Sequence, residues 1–452
     1  MSRKGAGQGP KNPPHPKSAL RHLRASDAHG IALLATQATR GVTGISEGVH
    51  QAVWRTLGAS ANKTAGKAPD QTSGMTGLVY QAIRGVTNWV EKGLSATLTK
   101  LQPLLESADQ AASDSPERAG VLAALNGVLG DHLAASGNPL ATPMTLRHQG
   151  QTFDVTALPA NFQPTGKILL AIHGLCMNDL QWNAVHKGTG RGTGRGAGRG
   201  AGRGASEAQP VNHVETIAQN LGYTPVYLRY NSGLHTSQNG HELARQLAQL
   251  VKAWPVPIQE ISVLVHSMGG LLIRSALHSA TQNTAPSTED WPRRLKTIVF
   301  LGTPHHGAPL ERAGNWVDVI LGSTPYSRPF AKLGQLRSAG ITDLRYGHVL
   351  DADWQGHDRF RKKPDSREPL PLPEGVACFA VAATIAARRG SLADRLVGDG
   401  LVPLRSALGQ HEVRGHSLAF AKSHQSIVYS TNHMQLLSSP EVTQKLLDWL
   451  GS

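Results

Sequence analysis

Cysteine is nearly absent: 452 residues hold two, Cys176 and Cys378. They stand far apart and neither belongs to a C-x-x-C pair, which excludes a disulfide scaffold and a cysteine-rich zinc module and suits a reducing compartment. Long apolar runs are missing as well. The longest, 376–387, is twelve residues even with Thr384 counted in it, against the roughly 20 needed to span a bilayer, so no transmembrane helix is expected. The opening M-S-R-K-G-A-G-Q-G-P-K-N-P-P-H-P-K is basic but lacks the apolar core of a secretory leader. These absences lead to the expectation of a cytoplasmic protein, soluble or peripheral at a membrane.

Acidic residues are scarce in two places, and that scarcity explains the net charge of +14. Residues 1–26 carry six Lys/Arg and no acid, and 187–204 carry Lys187, Arg191, Arg195, Arg199 and Arg203 with no acid. The rest of the chain is nearly balanced, as in an ordinary globular protein, which argues against nucleic acid as the partner. The first segment is Pro, Gly and Lys with almost no large apolar side chains, so a basic disordered tail is expected there. The second contains G-T-G-R twice and G-A-G-R twice at 188–203. Half glycine, it reads as a flexible surface insertion, with RNA or acidic lipid as the other partner such a segment could take.

What is present is periodicity. From Leu34 to Leu57 apolar residues step by three or four, and so they do from Leu78 onward. At an offset of 44 the two segments share R-G-V-T at 40–43 and 84–87, together with Leu34/Leu78, Gln37/Gln81, Ala38/Ala82, Glu47/Glu91, Ala52/Ala96 and Leu57/Leu101. A duplicated helical unit within an N-terminal helical region, 27–140, follows. Its glycines suit close helix packing or a membrane surface. Ser115-Pro116-Glu117 marks the start of a further helix running toward His132.

From Met144 the period changes. M-T-L-R-H, Gly150 and T-F-D-V-T read as a hairpin, and strand-like runs at 167, 224, 260, 295 and 376 alternate with helical ones. The expected fold of 141–452 is α/β, a mostly parallel sheet covered by helices. Residues 308–350 are too long for a plain connection, and with Trp316, Val317 and Ile320 they are expected to form a cap.

The chemistry concentrates at strand ends. E-I-S-V-L-V-H-S-M-G-G followed by L-L-I-R-S-A-L-H is a strand, a sharp turn holding Ser267, then a helix. That arrangement lifts the hydroxyl above the sheet and turns the Met268 amide toward a developing oxyanion. Val265 stands where the G-x-S-x-G pattern has its first glycine. His173-Gly174-Leu175-Cys176 ends an earlier strand, where Leu175 is the candidate second donor and Cys176 the next choice. A serine needs a histidine base, and the base needs an acid to fix its tautomer. Asp399 in V-G-D-G-L-V-P is the candidate acid, with Asp394 as runner-up. His433, between a last strand at 426 and the C-terminal helix, is the candidate base. His411, His416 and His424 precede or begin that strand. His173 reads as a structural residue, and His305–His306 as a rigid loop rather than a metal pair.

H-G-L, H-S-M-G-G, L-G-T-P-H-H-G, G-D-G-L-V-P and N-H-M-Q-L-L occur in that order, and in them the chain from 144 on resembles a serine hydrolase of the α/β-hydrolase fold, in its lipase and PGAP1-like (GPI inositol-deacylase-like) branch. The resemblance implies hydrolysis of carboxylic esters, with lipidic substrates as the natural class, without cofactor or metal. Thioesterase, amidase and polyester depolymerase use the same machinery. A different class, a non-catalytic binding protein on the hydrolase scaffold held to membrane or anionic polymer by its basic segments, is the alternative.

Overall fold

A computed structural model describes residues 116–154, 162–183, 211–282, 291–308, 338–356, 365–387 and 398–452, with five positions between 26 and 33. The helical repeat, the Gly/Arg insertion, Asp394 and the apolar cluster at 316–321 lie outside the described residues. The chain divides into two compact units, 1–121 and 122–452. In the first, Arg118 pairs with Asp27 at 2.6 Å. The second unit holds the sheet and the helices that cover it.

Its elements in chain order are α1 (Pro116–Ala135, in this unit from 122), β1 (Thr145–His148), β2 (Gln151–Thr152), β3 (Lys167–Ile172), α2 (His213–Leu221), β4 (Thr224–Arg229), α3 (Thr236–Ala253), β5 (Glu260–His266), α4 (Gly269–Gln282), β6 (Leu295–Leu301), α5 (Ala339–Tyr346), β7 (Ala377–Ala383), β8 (Gln425–Val428) and α6 (Pro440–Leu450). The strands form one sheet of eight in the order β2-β1-β4-β3-β5-β6-β7-β8. β1 is antiparallel to β2 and to β4, and every pairing from β4 through β8 is parallel. This is the mostly parallel sheet read from the strand pattern, beginning with the expected hairpin, and it is the α/β-hydrolase fold that the resemblance implies.

The central strands are continuous apolar runs because both faces are covered. Ile168 to Ile172 and Ile298 to Leu301 are entirely buried. On one face Leu169, Ala171, Val299, Leu301 and Val381 pack with Val214 and Ile217 of α2 and Val442 and Leu446 of α6. Each such leucine or isoleucine contributes roughly 1.5–3 kcal/mol by leaving water. α3 and α4 pack on each other, and α4 also packs against β5. A Cβ at Gly240 would fall 2.3 Å from Ser275 Oγ, so glycine lets these two helices come close. α2 shows how local chemistry sets element ends: Asn212 caps it by accepting the Glu215 N–H at 3.1 Å, and Gly222 closes it at φ 73°. All parallel strands end on one side of the sheet, where the loops after β3, β5, β6, β7 and β8 converge.

Candidate active site

Ser267 follows β5 and has φ 55°, a left-handed conformation that L residues rarely adopt and that marks a strained turn. Its N–H donates to the Leu301 carbonyl at 2.9 Å, which ties the turn to the end of β6. The two glycines after Met268 are required by sterics. A Cβ at Gly269 would stand 2.8 Å from the carbonyl oxygens of Ile172 and His173, and one at Gly270 would stand 2.1 Å from Thr303 Oγ1. Val265, in place of the pattern's first glycine, is fully buried within β5 between Ile172 and Phe300. The sheet accommodates it without disturbing the turn.

Asp399 and His433 are brought together. The His433 Nδ1–H donates to Asp399 Oδ2 at 2.6 Å, both side chains being 1% exposed. Asp399 Oδ1 accepts the N–H groups of Leu401 at 2.9 Å and Val402 at 2.8 Å. The flanking Gly398 (φ 57°) and Gly400 (φ 93°) permit that turn. The His433 N–H also donates to the Asp399 carbonyl at 3.0 Å. With Nδ1 committed to the carboxylate, His433 Nε2 is buried and has no hydrogen-bond partner among the described residues.

The loop that carries His433, the candidate base, is fastened to the serine turn through two contacts. His266 Nε2–H donates to the His433 carbonyl at 3.0 Å, and the two rings lie 4.6 Å apart. At Gly302 (φ 58°) a Cβ would fall 3.2 Å from the His433 ring. Sequence reasoning missed both His266 and Gly302. The position of His266 immediately before Ser267 is the one signal that could have found it.

On the other side, the loop after β3 abuts the serine: a Cβ at Gly174 would be 2.9 Å from Ser267 Cβ. Among the described residues the N–H groups of Leu175 and Met268 make no hydrogen bond. The Cys176 N–H instead donates to Ser232 Oγ at 3.0 Å, so the second-choice donor is already engaged. Burial pushes the Cys176 thiol far up, which removes it as a nucleophile. His173 is fully buried and stacks on Tyr230 at 4.4 Å; Nδ1–H donates to the Gly174 carbonyl at 2.9 Å. Burial lowers its pKa to about 4, so it holds the loop as a neutral ring.

The other histidines lie elsewhere. His306 Nε2–H donates to the Gly409 carbonyl at 3.1 Å, and its ring is 4.8 Å from that of His411, which pairs with Asp365 at 3.3 Å. His416 is 5.1 Å from His411, and His424 donates to the Cys378 carbonyl at 3.2 Å. His305 is buried with neither ring nitrogen partnered among the described residues. No group of three His, Cys, Asp or Glu among the described residues could hold a metal ion.

The sequence profile of the PGAP1-like alpha/beta domain matches residues 163–364. That segment is similar to the α/β domain of this family. The matched segment contains Leu175, Ser267 and Met268; Asp399 and His433 lie past it. No curated protein matches the chain in sequence. Solved structures similar to it include Bacillus licheniformis lipase BlEst2 in mature form (16% identity, 68% of this chain and 98% of that one, TM-score 0.37). Aspergillus fumigatus lipase B shares 11% identity over 68% of this chain and 56% of that one, with TM-score 0.36. A thermophilic esterase from Thermogutta terrifontis shares 13% over 64% and 90%, with TM-score 0.32.

Proposed function

We propose that the protein is a serine hydrolase of carboxylic esters, lipid-like ones being the substrate class, working through an acyl-enzyme intermediate. The observation that carries this reading is the buried His433 ring, held by Asp399 through Nδ1 and left with an unpartnered Nε2 beside the strained Ser267 turn. In the reaction Ser267 Oγ attacks the acyl carbon while His433 Nε2 takes its proton. Asp399 fixes the tautomer and stabilises the imidazolium, and the Leu175 and Met268 amides receive the charge that develops on the carbonyl oxygen. His433 then returns the proton to the leaving alkoxide. Water, deprotonated by the same nitrogen, releases the acid and restores the serine. The N-terminus of α4 adds a favourable dipole at the oxyanion.

The test is labelling by a fluorophosphonate together with turnover of p-nitrophenyl esters of graded acyl length. Ser267 is expected to carry the label, and Ser267→Ala to lose on the order of 10⁴ or more in turnover. A substrate series peaking at longer chains supports the lipidic class; a peak at acetate limits the reading to small esters. Labelling at another residue, or an active Ser267→Ala, defeats the proposal.

A further inference from the structure

Helix α1 meets the loop after β3 with its smallest residues. A Cβ at Gly127 would lie 2.1 Å from Cys176 Sγ and 2.9 Å from both the Cα and the N of Cys176. At Gly130 it would lie 1.8 Å from Asn231 Oδ1, and at Gly233 it would lie 2.1 Å from the Asn126 carbonyl. Backbones come so close here that no larger side chain could stand between them. Hydrogen bonds fasten the same surfaces. Asn231 Nδ2 donates to the Gly130 carbonyl at 2.9 Å, and Ser338 Oγ donates to the Gly127 carbonyl at 2.7 Å. Ser232, between Asn231 and Gly233, accepts the Cys176 N–H at 3.0 Å.

Cys176 is held by these contacts in the left-handed region, at φ 58°, which a residue with a Cβ rarely occupies without support. Its amide follows directly on that of Leu175. On its far side the loop cannot retreat, because Gly174 already touches Ser267.

We propose that α1 and the 231–233 turn form a clamp that sets the Gly174–Leu175 peptide as oxyanion donor, with Ser232 as a positioning residue. The inference rests on the serine-hydrolase reading and extends it. The Ser232 hydroxyl fixes the orientation of the peptide after Leu175, and the α1 glycines prevent Cys176 from relaxing outward. A helix that precedes the α/β domain in sequence thereby acts on the reaction without touching substrate.

The experiment uses the full chain. Ser232→Ala and, separately, Gly127→Ala are compared with the parent in kcat and KM on p-nitrophenyl butyrate, in affinity for a trifluoromethyl ketone that mimics the tetrahedral adduct, and in thermal melting. An oxyanion contact is made in the transition state rather than the ground state. Ser232→Ala should therefore lose roughly 10- to 100-fold in kcat, with KM within about twofold and ketone affinity falling in step. Gly127→Ala should lose more. If Gly127→Ala does not fold, Ser232→Ala decides alone, since it removes one hydrogen bond and adds no atoms. Unchanged kcat and ketone affinity in Ser232→Ala, or a loss that tracks melting and raises KM equally, overturns the clamp. If Ser267→Ala is inactive at the same time, the hydrolase reading survives; if Ser267→Ala is active, that reading has failed instead.

Discussion

Two buried histidines follow strands of the same sheet and differ in one respect. His433, after β8, and His305, after β6, are each 1% exposed. His433 has a carboxylate at 2.6 Å on one nitrogen. His305 has no polar partner on either, and its ring packs 4.8 Å from Phe300 and 5.5 Å from Phe420. Burial, followed by the positive charge of Arg274, holds the His305 pKa well below the ordinary histidine range. Its ring therefore stays neutral. Burial alone makes a histidine inert; a carboxylate on Nδ1 is what the role proposed for His433, taking up a proton at Nε2, requires.

The sharpest way to break the comparison is Asp399→Asn, which takes the charged partner from His433 and brings it toward the condition of His305. Ester turnover should fall about 10⁴-fold while the melting transition stays cooperative. Near-full activity would move the acid elsewhere in the chain. A smaller effect is expected from His266→Leu, which deletes the donor to the His433 carbonyl. Turnover should drop roughly tenfold because the base loop loses its register with the serine turn, and steady-state kinetics would read it. An unchanged kcat would mean the contact is incidental.

The smallest effect on catalysis is expected at the other histidine. His305→Leu replaces two unpartnered nitrogens with apolar surface of similar size, so turnover should stay within about twofold. Its signature lies in stability against pH. A histidine whose folded pKa is depressed adds stability above its unfolded value, about 6.5, and that contribution is lost as pH falls below it, because the unfolded chain takes up a proton that the folded one refuses. His173, His213 and His306, each lowered to about 4 chiefly by burial, share this behaviour. Melting temperature followed from pH 7 to 4 should fall less steeply in His305→Leu than in the parent. Parallel curves would show that the protonated His305 ring finds a hydrogen-bond acceptor in solution.

The same contrast explains what was legible in sequence. Ser267 could be read because strand, turn and helix follow one another within a dozen residues, and Asp399 because glycines flank it. His433 is legible from its place between the last strand and the last helix, and the structure puts it against Asp399. Strand positions were legible because parallel strands covered on both faces are continuous apolar runs. The fit of Gly127 to Cys176, the hydroxyl of Ser232 and the carbonyl contact of His266 were not legible. Each joins residues from 49 to 167 positions apart, and no local period encodes such a contact. N-S-G at 231–233 reads only as a loop, and glycines at 127 and 130 read only as weak points in a helix.

The contact between His266 and His433 spans 167 positions, and the pairings between them are parallel, β5 to β6 to β7 to β8. Parallel neighbours need long crossovers, and closing large loops before any contact rewards them makes such sheets slow to form. The contact of His433, the proposed base, with the serine turn is therefore expected to form only after the sheet has added its last strand. In a refolding experiment, helix content and burial of Trp182 and Trp291 should return before esterase activity does. An enzyme assay would then time the final step of folding rather than its average.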